Sequence, residues 1–80
     1  RLAEPVDLVF VDPPYADVAR WDWTSQIQTI FSPLGDHLAP DGLIVLRTPR
    51  RVECPEVLGP VTVQRTKHYG DMSVFILGLP

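Results

Sequence analysis

Residues 7–15 read Asp-Leu-Val-Phe-Val-Asp-Pro-Pro-Tyr, an apolar run that ends abruptly at an acidic residue and two prolines. The β-branched, aromatic and aliphatic side chains from Val6 to Val11 predict a strand that is buried on both faces. The prolines end this strand because neither can donate a backbone N–H, and the residue before a proline is kept out of helical conformations. Asp12 is therefore expected at the carboxyl end of a strand, where open α/β sheets bind their ligands.

A helix is predicted after the loop that follows this strand. Apolar side chains recur at spacings of three and four from Trp23 to Leu38, the pattern of one buried helical face. Asp22 precedes this pattern and is a favoured N-cap residue. Pro33 removes a hydrogen-bond donor within it, which predicts either a kink or a new helical start with Ser32 as the cap.

A second strand completes a βαβ unit. Pro40-Asp41-Gly42 predicts a stop and a turn, and Leu43-Ile44-Val45-Leu46 predicts a fully apolar strand. A strand, a helix and a strand in this order predict a parallel, right-handed unit. Residues 48–60 contain three prolines and are expected to form a loop, with at most one helical turn at residues 56–58.

The end of the chain predicts a β-hairpin. Residues 61–66 alternate apolar and polar side chains, the pattern of a half-exposed strand. Residues 72–77 predict the final strand, and Tyr69-Gly70-Asp71 between them predicts a turn. The two strands are close enough in sequence to pair in antiparallel fashion.

The composition is that of a globular protein. Of the 80 residues, 45% are hydrophobic and 21% are charged, which does not indicate disorder, and the length allows one domain over residues 1–80. No apolar run approaches the roughly 18 residues that span a membrane. Cys54 is the only cysteine and indicates a reduced thiol in the cytoplasm. His37 and His68 stand apart in the sequence, so no metal-binding spacing is present.

Charge is distributed unevenly along the chain. The net charge of −3, taken as a single number, argues against nucleic-acid binding. Residues 1–42 carry two basic and seven acidic side chains, whereas residues 43–80 carry five basic and three acidic ones. The basic side chains of the second half form a candidate RNA-facing patch, and the alternative is an ordinary solvated surface. They are Arg47, Arg50, Arg51, Arg65 and Lys67.

The tetrapeptide Asp12-Pro13-Pro14-Tyr15 at the end of an apolar strand resembles motif IV of the class I S-adenosylmethionine-dependent amino methyltransferases. The resemblance implies a Rossmann-like fold, S-adenosylmethionine as cofactor, and methylation of an exocyclic base amine or a glutamine amide. It further implies that Asp12 and the carbonyl of Pro13 accept hydrogen bonds from the target amine and border the cofactor. By the same resemblance Tyr15 stacks on the base and Pro14 stiffens the loop.

The order of the predicted elements indicates which half of the methyltransferase fold this chain resembles. A strand, a helix, a strand and an antiparallel hairpin form the C-terminal half of the class I methyltransferase fold. The segment from Arg65 to Asp71 is similar to the end of the RsmD-type enzymes, which methylate N2 of a guanine in small-subunit ribosomal RNA. The resemblance covers essentially the whole chain and implies that ribosomal RNA is the partner.

Seven residues are candidates for substrate binding. The basic ones are expected to contact phosphates, Trp21 to flank the base pocket, and Tyr69 to position the RNA, although Tyr69 also fits a plain hairpin turn. Trp23 falls on the apolar stripe of the helix and is expected in the core. The candidates are Pro14, Trp21, Arg50, Arg51, Arg65, Lys67 and Tyr69.

Two features depart from the family pattern. Arg47 and Thr48 follow the second strand, where many relatives carry an acidic residue. No G-x-G loop occurs in residues 1–80, whereas the glycine-rich cofactor loop of the family precedes motif IV. The sequence therefore predicts a C-terminal fragment of one methyltransferase domain, inactive alone, whose exposed first strand favours self-association.

Other functions stay open at this point. Residues 8–12 also match a Walker B strand that ends in a magnesium-binding Asp, although P-loop enzymes usually continue with an acidic or polar residue. A non-enzymatic interaction module or relic half-domain is a second alternative. Methylation of DNA or of a protein amine is a third.

Overall fold

The computed structural model describes residues 5–14 and 20–80. They form a mixed sheet of five strands, and a helical segment packs against one face of it. The elements are β1 (Val6–Val11), α1 (Trp23–Gln26), a π-helical turn (Ile27–Phe31), α2 (Ser32–Asp36), β2 (Leu38–Pro49), β3 (Val57–Leu58), β4 (Val61–Tyr69) and β5 (Met72–Gly78).

The strands are ordered β1-β2-β5-β4-β3 across the sheet. β1 and β2 pair in parallel, with the helical segment between them in sequence, while β5 pairs antiparallel with both β2 and β4. The structure therefore confirms the predicted parallel βαβ unit and the C-terminal antiparallel hairpin.

One face of the sheet, here called the covered face, carries the hydrophobic core. Ile44 and Leu46 of β2 and Leu77 of β5 are fully buried, and Phe31 of the π-helical turn is buried against them. Trp23 packs against this cluster, as the helical spacing predicts. Burying one such side chain contributes about 1.5–3 kcal/mol to folding. The covered face holds these buried side chains and therefore contributes to the stability of the fold.

The opposite face, here called the open face, corrects the prediction that β1 is buried on both sides. Leu8 is 51% exposed and Phe10 is 71% exposed, whereas Val9 and Val11, which alternate with them, pack against the core. β1 is the outermost strand on its side of the sheet, and no element within residues 5–14 and 20–80 covers its second face. The apolar pattern thus predicts the strand correctly and its burial wrongly.

The helical segment is continuous across Pro33, where the sequence predicts a kink or a new start. The π-helical turn leads directly into α2, and Pro33 lies at one of the first two positions of α2, where a proline is tolerated. Ser32 is the first residue of α2 rather than its cap. Asp22 does occupy the N-cap position, and its carboxylate accepts a hydrogen bond from the Ser25 hydroxyl at 3.0 Å. Among the described helices, none is long and apolar enough to cross a bilayer.

β2 begins earlier than the sequence predicts. Leu38, which fits the helical pattern, is buried in the strand and pairs with Val6. The next parallel pair joins Leu8 to Leu43, so β2 carries extra residues between the two pairs. The turn predicted at Pro40-Asp41-Gly42 is therefore wrong, because these residues form a bulge within a strand that is paired on both sides of it.

The segment before β4 also differs from its prediction. Val57 and Leu58 form β3 and pair with Thr62 and Val61, where the sequence predicts a helical turn. Gly59 between the two strands has a φ of 63°, a left-handed conformation that lets the chain reverse tightly. Leu58 is fully buried, so contact with the core decides the local structure here.

Candidate functional site

The carboxyl ends of β1 and β2 lie at the same edge of the sheet, because the two strands are parallel. The last residue of β1 pairs with Leu46, so Asp12 and Arg47 follow side by side. The turn of the β4–β5 hairpin lies at this edge as well, since Met72 at the start of β5 pairs with Pro49 at the end of β2. We call this edge the carboxyl edge, and it is where α/β sheets usually hold their ligands.

An ion pair occupies the carboxyl edge between β1 and β2. The Nε of Arg47 donates a hydrogen bond to Oδ1 of Asp12 at 3.2 Å. Both side chains are about half exposed, Arg47 at 46% and Asp12 at 52%. The acidic side chain that the sequence marks as catalytic is therefore accessible to solvent and is already engaged through one of its two oxygens.

The sequence predicts Arg47 as part of the basic patch but not as the partner of Asp12. The sequence does contain a signal for it, because Asp12 and Arg47 are each the first charged residue after an apolar strand. Two parallel neighbouring strands that end in this way bring such residues together. The missing information was the register between the strands, which the structure supplies through the pairing of Val11 with Leu46.

Two further predicted residues share the open face with this ion pair. Arg47 pairs with Val74 of β5, which in turn pairs with Lys67 of β4. Residues paired in this way lie on the same face, and two strand spacings separate Arg47 from Lys67 by roughly 10 Å. Arg65 lies one row further from the carboxyl edge, in register with Ile76. The open face thus carries an acidic side chain just after β1 and basic ones on β2 and β4.

A concavity of about 270 Å³ lies on the open face beside the ion pair. Its floor is apolar, and Asp12 and Arg47 supply its polar groups. The lining residues are Phe10, Val11, Asp12, Val45, Arg47 and Val74. An apolar surface with a few placed polar groups is the usual make-up of a ligand site.

A second concavity, of about 420 Å³, lies where β2 meets the hairpin turn. It is lined by Pro49, Arg50, Arg51, Gly70 and Asp71. The backbone N–H of Arg50 donates to the carbonyl of Asp71 at 2.7 Å, and its Nη1 donates to the carbonyl of Gly70 at 3.3 Å. The structure therefore brings two of the three predicted phosphate-binding arginines to the carboxyl edge and ties Arg50 to the hairpin turn.

Of four other predicted residues, the structure describes three. Pro13 is half-buried and Pro14 exposed directly after Asp12. Tyr69 is 54% exposed at the end of β4, next to the hairpin turn. Tyr15 lies outside the described residues, so its stacking role stays a prediction from the resemblance.

Trp21 lies on the covered side rather than at the mouth of either concavity. Its ring packs edge-to-face on Trp23 with centroids 5.3 Å apart, and against Phe31 at 6.4 Å. Trp21 is half-buried against the core through these contacts. Its predicted contact with a base stays a prediction.

Cys54 is not placed for chemistry. Burial raises the pKa of its thiol to about 12, and its Sγ donates to the carbonyl of Pro55 at 3.3 Å. A protonated thiol is a poor nucleophile at neutral pH. Within residues 5–14 and 20–80, no group of three or more His, Cys, Asp or Glu side chains is close enough together to hold a metal ion.

The residues at the carboxyl edge fit one end of a sulfonium cofactor. The exposed carboxylate of Asp12 lies beside the backbone of Pro13, and a carboxylate is compatible with a nearby positive sulfur. A glycine-rich loop, which would approach the rest of such a cofactor, is not among residues 1–80. The described residues therefore fit the reacting end of the cofactor and the substrate rather than a complete cofactor site.

Comparison with known proteins identifies similar chains. A family model described as conserved hypothetical protein 95 matches residues 1–78. A solved structure of a conserved hypothetical protein from Streptococcus pyogenes superimposes with a TM-score of 0.75 at 25% identity, covering 99% of this chain and 46% of that one. No protein of curated function matches the chain.

Two further solved structures are described as proposed methyltransferases. For yhhF from Escherichia coli the TM-score is 0.61 at 26% identity, with 96% of this chain and 41% of that one covered. For a methylase from Haemophilus influenzae the TM-score is 0.58 at 26% identity, with 95% and 44% covered. The Rossmann-like fold class is confirmed by these likenesses, and the chain spans less than half the length of each solved structure.

Proposed function

This chain belongs to the conserved hypothetical protein 95 family, and from that premise we propose that the protein methylates an exocyclic amine of a nucleic-acid base, with S-adenosylmethionine as methyl donor. The observation that carries the proposal is the exposed carboxylate of Asp12 at the carboxyl end of β1, next to Pro13. The two solved relatives described as proposed methyltransferases support the general reaction class.

The chemistry explains why a carboxylate is needed at this position. The lone pair of an exocyclic amine is delocalised into the ring, so the nitrogen is a poor nucleophile until it is oriented. The carboxylate of Asp12 and the carbonyl of Pro13 accept hydrogen bonds from the two amine hydrogens and aim the lone pair outward, and holding reactants in this way lowers the barrier. Asp12 then takes up the proton that the methylated amine loses and passes it to solvent.

The role of the cofactor is to supply the methyl group. When bound, S-adenosylmethionine would supply an electrophilic methyl group to the amine lone pair, and its sulfur would keep the electron pair of the carbon–sulfur bond. Asp12 and the backbone of Pro13 would border its reacting end. The Tyr15 ring holds the base by stacking, which is worth about 1–3 kcal/mol per base.

Basic side chains around the site favour a nucleic-acid substrate. Arg50 and Arg51 line the concavity at the carboxyl edge, and Arg65 and Lys67 are exposed on β4. Cations that neutralise phosphates supply most of the non-specific affinity for nucleic acids. Together with the RsmD-like sequence ending, this arrangement favours guanine N2 in small-subunit ribosomal RNA.

The proposal is tested by giving the native, full-length polypeptide S-adenosylmethionine with a labelled methyl group. The acceptors are small-subunit ribosomal RNA that lacks the modification, DNA of the same sequence, and total protein. We expect label in the RNA alone, recovered as N2-methylguanosine after nuclease digestion. Label in DNA, in protein or on another base would overturn the substrate assignment, and no transfer to any acceptor would favour a non-enzymatic interaction module.

A further inference from the structure

We propose that Arg47 is a positioning residue for Asp12. It holds the carboxylate through Oδ1 and thereby presents Oδ2 to the target amine. The inference rests on the proposed function, since it concerns how the same carboxylate meets its substrate. It gives a role to the position at which this chain departs from the acidic residue that many relatives carry.

The two partners differ in how firmly their backbones are held. Arg47 lies within β2, which has paired strands on both sides, β1 and β5, and it is itself in register with Val74. Asp12 lies beyond the last paired residue of β1, where only the following proline restricts it. The firmly held residue can therefore orient the less firmly held one.

The contact uses the part of the guanidinium nearest the backbone. Nε is the donor to Oδ1, at 3.2 Å, so fewer rotatable bonds lie between the sheet and the contact than if an Nη were used. Within the part of the chain that the structure describes, Asp12 accepts no other hydrogen bond from a side chain. One oxygen is thus fixed, and the second remains available at the surface of the concavity that Asp12 and Arg47 line.

Removing the charge of Arg47 should change turnover in opposite directions, depending on whether Arg47 positions Asp12 or acts only through its charge. The amine nitrogen becomes positive as its bond to the methyl carbon forms, and a nearby guanidinium opposes that charge. If Arg47 acted only through its charge, its removal would raise turnover. If it orients Asp12, its removal lowers turnover, because the carboxylate then samples rotamers that do not meet the amine.

The test compares the native, full-length protein with Arg47→Met, Arg47→Lys, Asp12→Asn and the Arg47→Met/Asp12→Asn pair, using small-subunit ribosomal RNA as acceptor. Exposed ion pairs are weak, so we expect Arg47→Met to lower kcat by about fivefold and to leave KM for RNA nearly unchanged. Arg47→Lys should recover part of the loss, since an ammonium keeps the charge without the fixed donor geometry. In the Asp12→Asn background, Arg47→Met should cost nothing further.

Arg20→Met serves as the matched control, because Arg20 is also an exposed arginine and lines neither of the two concavities. An unchanged or raised kcat in Arg47→Met would overturn the proposal. A raised KM with a weaker salt dependence of RNA binding would overturn it too, since that result marks a phosphate contact.

A second measurement separates this inference from the proposed function. Three-bond couplings in labelled protein report whether the Asp12 side chain holds one χ1 rotamer, and they need neither cofactor nor RNA. We expect one rotamer in the unaltered protein and averaged couplings in Arg47→Met. If the protein transfers no methyl group, the proposed function fails while these couplings still decide whether Arg47 orients Asp12; equal couplings in both proteins would refute the positioning role.

Discussion

The two faces of the sheet are built from the same strands and differ in how far their side chains are buried. On the covered face, Ile44, Leu46 and Leu77 have no exposed surface. On the open face, Phe10 is 71% exposed, and the Asp12–Arg47 ion pair is accessible to solvent. Side chains alternate between faces along a strand, so Leu46 is buried in the core whereas its neighbour Arg47 lies in the proposed site.

Substitutions on the two faces should therefore have different effects. The covered face is closed by the helical segment, which places Phe31 against the strands. The open face has no such layer among the described residues, although it carries apolar side chains as well. Removing a side chain from the covered face should therefore affect folding, and removing one from the open face should affect binding or turnover.

The largest expected effect on folding comes from Leu46→Ala. Leu46 is fully buried between β1 and β5 on the covered face, so we expect a loss of about 2–5 kcal/mol in the free energy of unfolding. Phe10→Ser on the open face is the matched comparison, with an expected change within about 0.5 kcal/mol. Urea unfolding of the 80-residue chain, followed by circular dichroism, measures both.

The same pair of variants tests whether the open face is exposed in solution. A loss for Phe10→Ser as large as that for Leu46→Ala would mean that the open face is buried in solution. Sedimentation of the 80-residue chain would then show whether self-association buries it. A small loss for Phe10→Ser and a large one for Leu46→Ala would leave the division between the two faces intact.

A smaller effect is expected at the hairpin end of the site. Arg50 lines the concavity beside the turn, and as a phosphate contact its replacement by alanine should weaken RNA binding uniformly across sequences. The slope of log affinity against log salt should fall by about 1. Filter binding at several salt concentrations measures this, with Arg20→Ala as the control, and an unchanged slope would remove Arg50 from the phosphate-binding set.

The sequence predicts much of this architecture because local patterns decide it. The apolar run before Asp12, the helical spacing after Trp23 and the hairpin around Gly70 all appear in the structure close to their predicted bounds. Each depends on side-chain periodicity or on a turn residue, and both are readable from neighbours in sequence.

What the sequence does not predict depends on distant contacts. Pro40-Asp41-Gly42 has turn chemistry, yet pairing of Leu38 with Val6 draws it into a strand. The partner of Asp12 lies 35 residues away, and the register of β1 against β2 that brings the two together is not readable from the sequence. Phe10 is exposed because no element among the described residues covers the open face of β1, which periodicity does not reveal.

The proposed role of Asp12 is tested most directly by measuring methyl transfer by the native, full-length protein carrying Asp12→Ala. The same protein carrying Asp36→Ala is the control. Asp36 is an exposed acidic residue at the end of α2, and the carbonyl of the next residue, His37, accepts a hydrogen bond from the N–H of Val6 at the end of β1 opposite the carboxyl edge. We expect Asp12→Ala to lower kcat by about a hundredfold or more, as loss of a placed polar group in an active site does. Affinity for S-adenosylmethionine should change little, and Asp36→Ala should behave as the unaltered protein. Near-normal turnover by the Asp12→Ala protein would contradict the assignment of Asp12 as the acceptor that orients the amine.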